Sequence, residues 1–479
     1  MVSVNTRWDQ LRNHMVSAGI VAVIAATVWL AMSFGKLSML GVVGLVGLIV
    51  AVYVGVRHPL WLFWALAAVM AVLQYGRIPG AHLPLYLPLA FGCLLASILH
   101  PRFARSPHPL ELAVLALIIT SGLSVVANYQ SLADVSIFVR WLIAMSMIFP
   151  LLQLSQQHLA TFGRIFVCGA ALNGIFGFYL IAFDQNHASF RYLRAFGYLE
   201  QYTVGFYAYT NEGASRTQRL GGTWVEPNGA GLNLMVALAL CILLFAGWRR
   251  VVLTTVITAA LALTLSRQSI GTFVVGIVLV LIFHTMRSRD RIATIASLGL
   301  IAGLCFLISP VRRRILSSFR SDDAGSTSRL DALHNFPGQM SGNWLFGHGW
   351  GRREFLDPSY SYTLNLVSNA PLITVYRGGI ITGLAFLAVM IVGCVMAYRA
   401  IISNSLPWAL YGGVFIAFCF VGMQLDHGTA DIAQIVLLYS IMLAFLVYID
   451  RERREALRRK STQTDAVSTP QEAPRVGVP

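Results

Sequence analysis

The sequence predicts an all-α polytopic membrane protein, with about 12–14 spanning helices and a cap on one side made from two long loops. Three observations predict it. Of the 479 residues, 57% are hydrophobic and only 11% are charged, whereas soluble chains carry about 25% charged residues. Apolar runs near the ~20 residues that a span requires recur between about residues 15 and 450. The ladder breaks for long only twice, at roughly 185–228 and 311–362, and both breaks are rich in Arg, aromatic residues and Gly.

Taken in order, the runs lie at 15–34, 38–56, 59–76, 83–99, 109–127, 134–153, 161–183, 229–247, 250–265, 269–286, 292–309, 379–398, 407–425 and 431–449. The first is too long for a signal-peptide core and no small-residue cleavage site follows it, so it counts as a span. The shorter stretch 364–377 reads as re-entrant or interfacial. Residues 1–450 thus form a single transmembrane domain. A basic tail follows (RERREALRRK, 451–460), and the polar composition after 461 predicts disorder up to residue 479.

Loop charge gives an orientation, because cytoplasmic loops carry an excess of Lys and Arg. Every second loop is basic: Arg57, Arg102 with Arg105, Arg164, Arg249 with Arg250, Arg287 with Arg289 and Arg291, then Arg399. The short loops opposite hold Lys36, Arg77 and Arg267. Both termini are therefore expected in the cytoplasm and both long loops outside. The net charge of +15 is then topological and calls for no nucleic-acid partner. All six Cys (93, 168, 241, 305, 394, 419) fall in expected spans without metal spacing, which reads as buried packing. There is no P-loop, no GxGxxG after a strand, no HExxH and no GxSxG. No cofactor or metal is expected.

Charge at membrane depth is costly and so tends to be functional. Arg140 opens the sixth run, Arg267 sits with Ser266 and Gln268 in a nearly loopless hairpin, and Asp426, His427 and Asp431 share a tiny outer turn. Arg267 is suited to phosphate, since its planar fork binds oxygens bidentately and does not deprotonate. The plainer alternative is an Arg snorkelling to the headgroups. The first long loop ends in QRLGGTWVEPNGAGLNL (218–234), with Arg219 and Glu226 flanking a turn. Glu226 beside cations suits a general base, or it pairs with a loop Arg or caps the next helix. In the second loop, Trp344, Phe346 and Trp350 offer faces for sugar rings or for the headgroup belt. The GHGWG run, with Gly347 and Gly349, offers backbone amides to an anion, and His334 and His348 are further candidate bases or ordinary loop histidines.

These pieces in this order resemble the O-antigen ligase/O-antigen polymerase family of bacterial membrane glycosyltransferases, over about 215–400. The resemblance rests on Glu226-Pro227-Asn228 before a span, Ser266-Arg267 in a hairpin, Ser328-Arg329 early in the large loop and a Leu-Phe-Gly-x-Gly-x-Gly turn at 345–351. The family pattern H-[NSQ]-x9-G-x-x-[GTY] then reads Ser368-Asn369, nine residues, Gly379, two residues, Thr382. The first position departs: the family's His, which activates the acceptor hydroxyl, is Ser368 here, and Ser has no pKa suited to a base. The resemblance implies metal-independent, inverting transfer on the periplasmic face of the bacterial inner membrane. The donor would be a glycan on a polyprenyl diphosphate, the acceptor a glycan or lipid-linked glycan, and a chain-length regulator and a flippase the companions. Arg267 and Arg219, with Arg140, would hold the diphosphate, and Glu226, His334 or His348 would replace the missing base. Arg329, Ser368, Asn369, Gly347 and Gly349 would line the substrate site. The expected activity is polymerisation of lipid-linked repeat units, as in O-antigen or exopolysaccharide synthesis. The alternatives are ligation of glycan to lipid A core, a polysaccharide-lipid transporter or flippase, and a non-catalytic member.

Overall fold

A computed structural model describes residues 53–79, 83–100, 107–184, 186–198, 210–212, 215–289, 333–351, 369–425 and 428–468, with a few isolated positions besides. Among these residues eleven apolar helices follow one another: α1 (Pro59–Val72), α2 (Tyr86–Leu99), α3 (Pro109–Ala127), α4 (Leu132–Gln153), α5 (Gln156–Ala182), α6 (Pro227–Leu244), α7 (Gly247–Leu263), α8 (Arg267–Phe283), α9 (Ala370–Ile401), α10 (Leu406–Gly422) and α11 (Ala433–Ser468). Each coincides with one expected run. Six of them, α3, α4, α5, α6, α9 and α11, are long and apolar enough to cross a membrane on their own. The chain is thus an all-α polytopic membrane protein. The expected runs 15–34, 38–56 and 292–309 fall almost wholly outside the described residues. The small exception to helix is an antiparallel hairpin, β1 (Thr210–Glu212) with β2 (Ser215–Thr217).

Local chemistry starts these helices where they start. Pro occupies the first turn of α1, α3, α6, α9 and α10, where its missing N–H costs nothing. His108 and Glu111 cap α3 reciprocally, with the His108 amide donating to Glu111 Oε2 at 2.7 Å. The helices then close on one another through small residues. A Cβ at Gly276 of α8 would lie 2.8 Å from Val414 Cα of α10, and one at Gly174 of α5 would lie 2.9 Å from Ala260 of α7. The 433–449 stretch of α11 runs through the centre of the bundle and is almost entirely buried. By contrast α3 leaves Leu112, Leu115, Ile119 and Leu123 exposed on one face, as a helix against lipid does.

Contacts between helix ends sort the bundle into two poles. At one, His108 meets Asp450, Arg451 donates to the Leu152 carbonyl, Arg164 to Leu244, and His284 Nδ1 lies 2.7 Å from the Ile401 carbonyl. This pole gathers the basic loops. At the other, Asn128 donates to Phe346, Arg219 to Thr264, Gln268 to Gly422 and Asn369 to Gln424. The helices alternate between the poles throughout.

The stretch 364–377, expected as re-entrant or interfacial, is described from 369 onward, where 370–378 is a short helix set off from the rest of α9 by a break at Gly379 (φ 75°, ψ −178°). One feature differs from expectation. The tail after 461 begins as helix, because α11 continues to Ser468, helped by the i,i+4 pairs Arg454–Asp450 (2.7 Å) and Arg459–Glu455 (3.9 Å).

Candidate functional site

The second pole is built around the N-termini of α6 and α8. Arg219 links them. It is only 6% exposed; its Nε donates to the Thr264 carbonyl at 2.8 Å and one of its terminal nitrogens to Asn228 Oδ1 at 2.7 Å. Thr264 lies two residues before the cap of α8, and Asn228 is the second residue of α6. The neighbouring backbone follows suit, with Leu220 N donating to Leu263 O at 2.9 Å. Gly231 of α6 lets the turn approach: a Cβ there would stand 2.9 Å from Ser266 Cβ. Ser266 caps α8, accepting from the Ser269 amide at 3.4 Å, and Arg267 is the first residue of that helix. Helix N-termini carry partial positive charge. Two of them, with the Arg219 guanidinium between them and Arg267 as the first residue of α8, make this corner of the molecule suited to an anion.

The turns that deliver these residues are strained. Among the described residues the non-Gly positions with positive φ are His187 (56°), Val225 (61°) and Leu265 (50°). Leu265 immediately precedes the Ser266 cap. Val225 immediately precedes Glu226, and with ψ −49° and a 2.5 Å bond from Glu226 N to Trp224 O it forms the rare form of γ-turn. His187 Nε2 faces the amide nitrogen of Gln218, the neighbour of Arg219, at 3.3 Å, so that ring nitrogen is the acceptor. Burial pushes the His187 imidazole below its usual pKa. Such backbone is costly, about 1–3 kcal/mol per residue, and gathers at functional sites. Here all three positions flank the same corner.

Glu226 takes the N-cap position of α6 and is half-buried, but its carboxylate makes no capping bond. The capping alternative is therefore excluded. Behind it Trp224 is fully buried, edge-on to Tyr75, and Gly229 lies flat against its ring.

The GHGWG turn serves a different purpose from the one expected. Its amides are engaged: Gly347 donates to Asn343 O (2.9 Å), His348 to Tyr376 O (2.7 Å) and Gly349 to Arg377 O (3.0 Å). Gly347 and Gly349 (φ 68° and 91°) thus hold the loop against the break in α9, and these three amides are spent on carbonyls. The reason is proximity. A Cβ at Gly347 would sit 2.6 Å from the Arg377 carbonyl carbon. Trp344 O in turn accepts from Ile380 N at 2.8 Å, the amide that the break at Gly379 releases. Thr382 Oγ1 donates to Gly378 O at 2.8 Å. The spacing Asn369–x9–Gly379–x2–Thr382 therefore has an architectural meaning here: helix cap, helix break, and a hydroxyl on a carbonyl beside the break. Asn369 Oδ1 accepts from Leu372 N, and its Nδ2 donates to Gln424.

Other expected residues scatter. His348 Nε2 donates to Gln339 O at 2.8 Å and the ring packs on Tyr376. That nitrogen is committed to structure. His334 is exposed in a short helical stretch at 333–339. Arg140 lies two turns inside α4 rather than at its opening, exposed, and its charge reaches Tyr86. Trp350 offers no face to a sugar, because it is buried against Trp141 and Phe138. Arg329, Ser368, Asp426 and His427 lie outside the described residues. Among the described residues no three His, Cys, Asp or Glu side chains gather as metal ligands.

Two features escaped sequence reasoning. Arg377 is buried in α9 with its guanidinium 5.5 Å from the Trp350 ring centroid. Its signal was available, as the one charge between 369 and 398. Gln74 and Asn173 are fully and almost fully buried in the bundle and meet at Thr223. An uncharged amide in an apolar run leaves a weaker signal. Neither a family model nor a curated protein matches the chain.

Proposed function

We propose that the chain is an inner-membrane glycosyltransferase that polymerises polysaccharide repeat units carried on a polyprenyl diphosphate, working at the pole of Arg219, Glu226 and Arg267. The observation that carries this reading is the convergence of the N-termini of α6 and α8 on Arg219, with Arg267 on the second helix. A diphosphate leaves once its growing negative charge is held. Preorganised cations and helix dipoles that face the leaving oxygen lower that barrier. Arg219 is locked in place by two of its nitrogens, which removes the cost of organising it during the reaction. Arg267 supplies the second cation. Glu226, half-buried and not spent on capping, takes the proton of the acceptor hydroxyl as it attacks the anomeric carbon; the glycosidic bond forms as the carbon–oxygen bond to diphosphate breaks. A single displacement inverts the anomeric centre. The pole of basic loops would face the cytoplasm by the loop-charge rule, which leaves this site on the periplasmic side, where lipid-linked units await assembly.

The test is the glycan profile of a deletion strain complemented with wild type or Arg267→Ala. Loss of long polymer in the variant, with single units still transferred and protein level unchanged, supports polymerisation. Loss of all transfer to lipid A core, with free polymer accumulating, points to ligation. Wild-type polymer length in the variant overturns the cation role.

A further inference from the structure

We infer that Asn173 is a positioning residue for Glu226, acting through Thr223; the inference rests on the function proposed above. Asn173 stands in α5 at 4% exposure, among apolar neighbours. A buried amide there is costly unless it is hydrogen-bonded, and its Oδ1 meets that cost on a single residue of the cap. It accepts from the Thr223 amide at 2.8 Å and lies 2.9 Å from the Thr223 hydroxyl. Gln74 Oε1 stands 3.4 Å from the same hydroxyl and is steadied by its own Nε2, which donates to Ala71 O at 2.7 Å. The Tyr198 hydroxyl donates to the Thr223 carbonyl at 3.0 Å. Every polar group of Thr223 is therefore held, from α5, from the end of α1 and from the cap. Gly222 beside it (φ 55°) must lack a side chain, because a Cβ would run into Asn173 Oδ1.

Two residues downstream comes the γ-turn at Val225, and then Glu226. A strained turn persists only when its surroundings over-determine it. Thr223 is the anchor just upstream, and α6 begins just downstream. Arg219 is held separately, by Thr264 O and Asn228 Oδ1. Loosening Thr223 should therefore turn Glu226 away while the cation pair stays in place, which separates catalysis from donor binding.

The test uses the full-length protein in nanodiscs, with polyprenyl diphosphate as the binding probe, alongside the glycan profile of complemented deletion strains. Asn173→Leu keeps the shape and removes the acceptor; Thr223→Val removes the hydroxyl; Thr223→Ser keeps it. Asn173→Leu and Thr223→Val should speed hydrogen exchange of the 222–226 amides roughly tenfold, the factor carried by one lost buried hydrogen bond. Both should cut polymer by a similar factor with the Kd for polyprenyl diphosphate little changed, and Thr223→Ser should behave as wild type. Unchanged exchange in Asn173→Leu overturns the inference, as does a Thr223→Ser chain as impaired as Thr223→Val. So does a Kd that rises in step with the loss of polymer, since that marks general damage. Should Asn173→Leu fail to fold, the Thr223 pair, in which Val differs from wild type only by a methyl in place of the hydroxyl and Ser only by loss of the methyl, still decides. If wild type binds no polyprenyl diphosphate and the deletion strain keeps its polymer, the proposed function falls, and the exchange data still judge the network.

Discussion

At the scale of single residues, a guanidinium can do what an ammonium cannot. Arg267 begins α8, where the helix dipole already favours an anion, and its fork can take two phosphate oxygens at once. Arg267→Lys should therefore lose polymer nearly as fully as Arg267→Ala, by about 10²-fold, the usual effect of removing one preorganised donor; a Lys variant with normal chain length would reduce the residue to a point charge. Glu226 is a different case. If it takes the acceptor proton, Glu226→Gln should lose a comparable factor in turnover and still bind lipid-linked donor, because the amide keeps the shape and cannot accept the proton at neutral pH. An active Glu226→Gln protein would pass the role to another group. His348 would be a poor substitute, since its Nε2 is committed to Gln339.

At the scale of elements, the break in α9 ties the second long loop to the bundle. Gly379 adopts φ 75°, and a Cβ there would collide with the Leu345 carbonyl. Gly379→Ala should thus push the 344–349 turn off α9 and destabilise the protein by several kcal/mol, well beyond the ~1 kcal/mol of an ordinary Gly-to-Ala strain in open space; thermal unfolding in detergent measures it, and a midpoint equal to wild type would mean the loop can move aside. How much of this was legible in the sequence differs by element. Each expected span within the described residues became a helix, because apolar length is a strong signal and lipid leaves the backbone no alternative. Arg219, Arg267 and Glu226 were legible as polar residues beside turn chemistry, and the structure brings their turns together. In the GHGWG turn, three of the amides expected to face an anion meet carbonyls instead. Its glycines announced positive φ correctly, but a sequence does not say whether free amides will meet an anion or a neighbouring carbonyl. Asn173 and Gln74 left only a weak signal, and their shared partner was hidden for a related reason: Thr223 lies far away in the chain, and only the packing of α5 against α1 and the cap joins them.

At the scale of the whole molecule, the candidate site lies at one pole and the basic loops at the other. Single cysteines in a Cys-free background should report this. Asn343→Cys at the site pole should react with a membrane-impermeant maleimide in intact spheroplasts, and Ser403→Cys at the opposite pole should react only after lysis; labelling of both in intact spheroplasts would break the orientation drawn from loop charge. The γ-turn at Val225 also has a consequence for how damage spreads. Val225 packs with Leu180, Phe190 and Tyr198 in a small apolar cluster apart from the main core, so the cluster restrains the turn and the turn tightens the cluster. Their energies are then not independent. Phe190→Ala should cost less in a Val225→Gly background than in wild type, by about 0.5–3 kcal/mol in a double-mutant cycle. Simple addition of the two losses would mean that the turn keeps its shape unaided. Coupling of that size would make the outer aromatic segment 188–198 a silent partner in selection on the site, where changes that touch no substrate still alter how well Glu226 is aimed.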